Sequence, residues 1–221
     1  MSNQPEIGKG IYTTKDVATI LKMPYGHAHR WITTYWKTAS MADGMEGYSW
    51  EVDGSLAVDF QTLVELAVVC QLLKAGVKPK KIVDARKVLI KQFRTPAPFA
   101  NKHVLEGIQT DKKQIFFKHN GDVVTLDATT QFNLTYVNDF LTNLDFDDEL
   151  LAKRLWPRGR GSVVVVDPLR KFGHPVLNGR NIYPETIYQY YRAGETESFI
   201  SELFGLDPKE VTDAIDYCKA A

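Results

Sequence analysis

His29, Arg30, Thr33 and Lys37 recur at steps of one, three and four residues behind a tyrosine at position 25. On a helix starting near Tyr25, that spacing gathers them with Gly26 on one polar face. Ala28, Trp31, Ile32 and Tyr35 then hold the i, i+3, i+4, i+7 positions of the opposite, buried face. Guanidinium, imidazole and hydroxyl groups presented together from one helix can read base edges in a major groove about 12 Å wide. Lys15, Tyr25 and His27 complete the candidate DNA-binding set, because cations and ring donors can also hold phosphates. His27 and His29 are two residues apart, so they diverge on a helix and make poor joint metal ligands. Trp31 and Tyr35 are expected in the core, not stacked on bases.

Other groups that could do chemistry are weaker. Asp145, Asp147, Asp148 and Glu149 could hold magnesium, but four acids so close more often make a solvated turn. Arg158-Gly159-Arg160-Gly161 precedes a strand, so its amides gain no helix N-terminus for a phosphate. Ser162 has no nucleophile-elbow context, and neither Cys70 nor Cys218 has a histidine nearby in sequence. No catalytic residue, metal site or cofactor is nominated, and the expectation is a protein that is not an enzyme.

The chain has 221 residues, with 27 basic and 27 acidic side chains. That balance argues against coating nucleic acid by bulk charge. Local balance differs: Lys plus Arg against Asp plus Glu gives 13 − 9 = +4 over residues 1–95, 7 − 9 = −2 over 96–159 and 7 − 9 = −2 over 160–221. A polyanion should favour the first segment. No apolar run reaches the roughly 18 residues of a membrane helix, and residues 1–12 lack a secretory layout, so a cytoplasmic protein without a membrane partner is expected. Two cysteines cannot build a disulfide framework.

The elements that position these groups follow from caps and breakers. Thr13 or Thr14 can cap a first helix carrying Val17, Ile20 and Leu21, which ends at Met23-Pro24. After the second helix, Tyr48-Ser49-Trp50 reads as a short strand suited to a wing. Asp59 caps a long helix stopped by Gly76, and a further helix carries Ile82, Ala85, Leu89 and Phe93. Pro96 and Pro98 end this region. Beyond them Val104–Gln109, Gln114–Lys118 and Val123–Leu126 read as strands of a small antiparallel sheet, with Asn120-Gly121 as a tight turn. From Val163–Val166 onward come a strand, a glycine-rich hairpin across Phe172–Ile182 and three short helices. Pro184 opens the first helix, and Gly194, Gly205 and Asp207-Pro208 punctuate the rest. Ile187, Tyr190, Tyr191, Phe199, Ile200, Leu203, Phe204, Val211, Ala214, Ile215 and Cys218 are assigned to its core. The fold class is α+β and mainly helical. It divides into a winged helix-turn-helix head (1–95), a small α+β middle (96–159) and a hairpin plus three helices (160–221).

Tyr12-Thr13-Thr14-Lys15-Asp16-Val17-Ala18, His29-Arg30-Trp31-Ile32 and the stretch from Asp59-Phe60 to Leu72-Leu73-Lys74-Ala75-Gly76-Val77 together resemble the MerR-type winged helix domain. The resemblance implies a second helix in the major groove, a wing on the backbone and a dimer on a two-fold site. Pro24-Tyr25-Gly26 departs from the small hydroxyl residue usual at that helix start. Gly173, Pro175-Val176, Gly179-Arg180, Ala193-Gly194-Glu195 and Ala214-Ile215-Asp216-Tyr217 resemble the domain-of-unknown-function family 433. Many of its members resemble antitoxins encoded beside PIN-domain ribonuclease toxins, and the whole chain resembles VapB-type antitoxins of this larger arrangement.

The resemblance implies an antitoxin that binds double-stranded operator DNA, represses its own operon and captures a PIN-domain toxin through its C-terminal half. Arg180, Tyr183 and Tyr190 are the candidate partner-binding residues. Arg180 could equally close its hairpin by bonding a nearby carbonyl or Asp167. The apolar run Val64–Leu73 exceeds what one helix face buries, which points to a homodimer. Two other readings stand beside it: a MerR-like transcription regulator whose C-terminal unit dimerises or senses a ligand, and a scaffold that never touches DNA.

Overall fold

The computed structural model describes residues 6–36, 49–52, 54–110, 115–119, 122–125 and 140–220. The class is α+β, with short antiparallel ladders set among helices.

Strand β1 (Tyr12–Thr13) leads directly into helix α1 (Thr14–Leu21). Thr13 caps α1 reciprocally: the Asp16 amide donates to Thr13 Oγ1 at 3.2 Å, and the Thr13 amide donates to Asp16 Oδ2 at 2.8 Å. Lys22 closes the helix in the left-handed conformation, and Pro24 starts α2 (Tyr25–Arg30). The helix does not continue regularly: Trp31–Trp36 is wound as a π-helix. In an α-helix residues five apart diverge by about 140°, whereas wider winding brings them to one side. Trp31 and Trp36 are both buried with ring centroids 5.6 Å apart, so the packing of this pair accounts for the local unwinding.

Strands β2 (Ser49–Val52) and β3 (Ser55–Val58) form a hairpin, and β1 adds to its other edge in the order β1-β3-β2. Register runs Trp50↔Ala57 and Thr13↔Ala57. Gly54 holds φ +72 at the turn, a conformation that suits glycine. Tyr48, expected at the start of this strand, lies outside the described residues, as do Lys37 and the Asn120-Gly121 turn.

Helix α3 (Phe60–Lys74) is capped by Asp59, whose carboxylate accepts from the Thr62 amide at 2.8 Å. It is sheathed almost all round: every residue from Thr62 to Cys70 is buried, and Leu72 with them. Its cover is α1, the tryptophans, α4 (Pro79–Phe93), a 3-10 turn at Pro98–Ala100 and strand β8 (Ala152–Leu155). The long apolar run is therefore satisfied within one chain, and the dimer argument drawn from Val64–Leu73 falls away. One core runs from Tyr12 to Val166, crossing both expected unit boundaries at 95 and 159.

Inside it lies an ionic cluster. Glu65 is fully enclosed and accepts from Arg86 Nη2 at 2.8 Å, Trp36 Nε1 at 3.2 Å and the Phe99 amide at 3.2 Å. The Arg86 guanidinium also stacks 4.6 Å from the Trp36 ring and donates to the Pro96 carbonyl.

The expected strand Val104–Gln109 is mostly helix: α5 spans Lys102–Gly107, capped by Asn101, and only Ile108–Thr110 is extended as β4. Adjacent Val104 and Leu105 are both buried, as a helix face or a strand covered on both sides permits, and the Asn101 side chain, accepting from the Val104 amide, starts the helix. β4 pairs with β5 (Ile115–His119), which pairs with β6 (Asp122–Thr125), so the middle sheet stands. β7 (Leu144–Phe146) pairs with β8.

In the last unit β9 (Val164–Val165) pairs antiparallel with β10 (Val176–Leu177). The expected hairpin across Phe172–Ile182 divides: Lys171–Gly173 forms a 3-10 turn, and only the tight return from Leu177 to Ile182 closes locally, at 3.0 Å. Helices α6 (Pro184–Arg192), α7 (Glu197–Phe204) and α8 (Pro208–Lys219) follow at the expected punctuation. Ile187, Ile200, Leu206, Val211, Ala214 and Ile215 make their core. Tyr190, Phe199 and Leu203, assigned to that core from periodicity, are instead 39%, 45% and 50% exposed. Three helices of eight to twelve residues have too little interior for every apolar position.

Candidate functional site

The polar face of α2 is open. Tyr25, Gly26, His27, His29 and Arg30 are exposed, while Ala28, Trp31 and Ile32 beneath them are buried. The inward aromatics fix the rotation of the helix, and that rotation fixes which side chains face solvent. Tyr25 and His29, one turn apart, stack with ring centroids 6.1 Å apart. Thr33 donates its hydroxyl to the His29 carbonyl at 2.7 Å, so only its acceptor lone pairs remain for a ligand. Arg30 makes no hydrogen bond or ion pair among the described residues, and its guanidinium keeps all five donors available.

A cleft of about 370 Å³ separates α2 from the β2–β3 hairpin. Thr14 and Lys15 line it from α1, Tyr25 and His29 from α2, and Glu51 and Ser55 from the hairpin. Lys15, Tyr25 and His29 are thus brought together, whereas His27 and Arg30 are not among the cleft's lining residues. Helix, cleft and hairpin form a concave edge lined by Lys15 from α1 and by Glu51 from the hairpin.

The three C-terminal candidates have different roles. Arg180 is held within the chain: Nη2 donates to the Gly205 carbonyl at 3.3 Å and Nε lies 3.5 Å from Glu210. It ties the β10 turn to the junction of α7 and α8. Asp167, its other expected partner, pairs instead with Arg154 at 2.9 Å. Tyr183 is half-buried at the start of α6, edge-on to His174 and beneath the Lys171 ammonium. Tyr190, exposed on α6, meets the Phe204 ring edge-on at 5.2 Å, and Phe199 and Leu203 are exposed one turn apart on α7.

The acidic run serves a turn and a joint. Asp147 Oδ1 accepts the Glu149 and Leu151 amides, and Asp145 pairs with Arg160 at 2.6 Å. Arg160 also donates to the Thr142 and Leu144 carbonyls, while Arg158 reaches the Asp216 carbonyl at the far end of α8. Arg158 thus ties α8 to the loop after β8, and Arg160 ties that loop to β7 and the residues before it. Nothing in their spacing marks that role, since arginine beside glycine reads equally well as a solvated loop.

Residues 164–218 match the family model described as a protein of unknown function, DUF433. They form a DUF433 domain. Its first strand is β9 and its last helix α8, so the match covers the compact C-terminal core. Beyond the DUF433 domain, a Mycobacterium tuberculosis protein named "Putative antitoxin VapB45" is 24% identical over 223 residues, covering 93% of this chain and 92% of its own length. A second protein of that organism, "Uncharacterized protein Rv2308", is 39% identical over 56 residues, which is 25% of this chain and 24% of that protein. The crystal structure of Rv2018 from Mycobacterium tuberculosis shares the fold, with a TM-score of 0.68 at 22% identity over 96% of this chain and 98% of that one. No helix among the described residues is long and apolar enough to cross a membrane.

Proposed function

We propose that the chain is the cytoplasmic antitoxin of a type II toxin-antitoxin pair, binding operator DNA through its N-terminal region and a PIN-domain ribonuclease toxin through its DUF433 domain. The observation that carries the toxin-antitoxin role is the similarity to the protein named as an antitoxin, which extends over 93% of the chain and is not confined to DUF433.

The DNA-binding half of the reading is supported by the open face of α2. Arg30 and His27 enter the major groove, with Lys15, Tyr25 and His29 against a phosphate across the cleft from the hairpin, which serves as the wing of a MerR-like winged helix. Lys37 belongs to the same proposed set. A two-fold dimer on a two-fold operator follows from this reading, although α3 no longer argues for it. The partner half rests on the exposed Tyr190 of α6 and the exposed Phe199 and Leu203 of α7, with Tyr183 at the N-cap of α6. Arg180, exposed and bonded to the Gly205 carbonyl at the end of α7, belongs to the same proposed set.

The experiment is co-expression. If the gene beside this one encodes a growth-arresting ribonuclease, the intact chain restores growth and co-purifies with it, and Phe199→Asp with Leu203→Asp abolishes both effects while the protein still melts cooperatively. Growth restoration by the double variant would move the partner site elsewhere. Absence of any neighbouring nuclease, with operator binding intact, would favour the MerR-like regulator in which the DUF433 domain dimerises or senses a ligand.

A further inference from the structure

Lys22 stands where a helix most often ends in glycine. It closes α1 at φ +50, a left-handed conformation that disfavours any residue with a Cβ. Burial, then the charges of Arg158 and Lys74, lowers its ammonium below the ordinary value, so three cations converge near the ends of α1, α3 and β8. Lys22 and Lys74 have no side-chain hydrogen bond or ion pair among the described residues, and there Arg158 donates only to the Asp216 carbonyl.

One lysine at a helix C-terminus is ordinary, because the macrodipole leaves about half a negative charge there. Lys22 and Lys74 each have such an end, of α1 and α3. Two ends offset about one of the three positive charges and leave an excess of about two.

The two lysines line a cavity of about 100 Å³ between α1, α3, the residues before β7 and the loop after β8. Ala67, Cys70, Phe140 and Leu155 are buried and apolar in its wall, whereas Lys22 and Lys74 are exposed. The cavity is therefore apolar inside and cationic at its mouth. Gln71 and Asn143 also line it, half-buried, and their side-chain amides make no hydrogen bond among the described residues. At about 30 Å³ per water there is room for about three waters, or for an acid of about four carbons.

A bare phosphate would answer the charge and leave the apolar wall wet, and a hydrocarbon would do the reverse. A carboxylate on a short stem meets both needs, with charge-assisted hydrogen bonds at one end and buried methylenes at the other. We propose that this cavity binds a short aliphatic carboxylate, its charge held by Lys22 and Lys74 and its stem against Ala67, Cys70, Phe140 and Leu155. The site lies outside the DUF433 domain and is independent of the DNA and toxin readings.

The test is titration calorimetry and indole N–H resonances of the intact chain with acetate, butyrate, hexanoate and inorganic phosphate at constant ionic strength. Each buried methylene contributes about fourfold in affinity, so butyrate should bind about fifteenfold more tightly than acetate. Hexanoate, too long for the cavity, should gain nothing further. Butyrate should shift the Trp156 indole resonance, since that ring lines the cavity, and raise the melting temperature with the logarithm of its concentration. Lys22→Asn with Lys74→Gln should lower butyrate affinity about tenfold while melting stays cooperative, because asparagine tolerates the left-handed cap. A control of equal net charge, Lys102→Gln with Lys153→Gln, should bind as wild type, and Lys22→Arg with Lys74→Arg should retain binding.

Unchanged butyrate affinity in the Lys22→Asn, Lys74→Gln variant would put the acid elsewhere on the chain and overturn the proposal. Phosphate binding as tightly as butyrate would reduce the site to an anion contact without its apolar half and also overturn it. Neither heat nor a resonance shift with any of the three acids overturns it outright.

Discussion

Replacing Gly173 with alanine tests how the DUF433 domain is fastened to strand β1 and the residues before it. Gly173 holds φ +90, and its backbone passes against Tyr12, which is completely buried. A Cβ built there would stand 2.6 Å from Tyr12 Cζ, closer still to the hydroxyl oxygen, and 3.2 Å from Gly10 Cα. Two penalties add. Holding alanine in left-handed backbone costs about 1–2 kcal/mol, and forcing a methyl into a packed contact costs about 1–3 kcal/mol. Gly173→Ala should therefore destabilise by about 2–5 kcal/mol, read as a lowered urea midpoint at unchanged slope. Tyr12→Phe separates the two contributions, because it removes the nearest atom and a buried hydroxyl that has no hydrogen-bond partner among the described residues. Alone it should be neutral or stabilising, and in Gly173→Ala it should recover part of the packing loss and none of the backbone loss. A Gly173→Ala protein within about 0.5 kcal/mol of wild type would refute the reasoning, since such a shift is ordinary for open surface positions.

Arg30→Ala should weaken binding to a duplex taken from upstream of the gene by about 1–3 kcal/mol and leave random-sequence binding nearly unchanged, as gel-shift titration would show. Glu65→Gln should cost about 3–5 kcal/mol by leaving the Arg86 charge buried without its counterion, while Glu65→Leu with Arg86→Met should recover much of it in thermal melts. Burial raises the Asp59 carboxyl above its ordinary value, against the opposing Thr62 hydrogen bond. The native state then holds that proton more tightly than the unfolded one. Wild-type stability relative to Asp59→Asn, which keeps the cap, should decline as pH rises from about 3.9 through the raised native value, with no further change above it. Burial also pushes the Cys70 and Cys218 thiols up, to about 11 and about 12, so at pH 8 both should resist iodoacetamide until urea is added.

Much of the candidate site was legible because it depends on local rules. The Thr13 cap, the Pro24 start and the alternation of Ala28, Trp31 and Ile32 with His29 and Arg30 set the rotation of α2 without help from distant residues. What escaped was decided by tertiary contacts. Trp36, i+8 from Ala28 at the edge of the apolar stripe, is buried in a π turn that no residue pattern announces. Val104 and Leu105 suit either period, and the Asn101 cap with burial beside Phe99 selects helix. Glu65 offered a signal that pattern reading passed over: it is the single charged residue between Phe60 and Leu73, and a lone charge in so apolar a run requires a counterion, here Arg86. Tyr190, Phe199 and Leu203 keep helical spacing, yet the small C-terminal core leaves them outside.

The sheathing of α3 bears on how the molecule can be dissected. A fragment stopping at residue 95 would strip away Phe99, Ala100, Leu105, Leu144, Ala152 and Leu155, and with them one wall of the trough that houses the helix. Such a piece would present a wet groove of aliphatic side chains and tend to cling to itself, so weak operator binding by it would report insolubility before recognition. Point changes on the intact polypeptide are the cleaner scalpel.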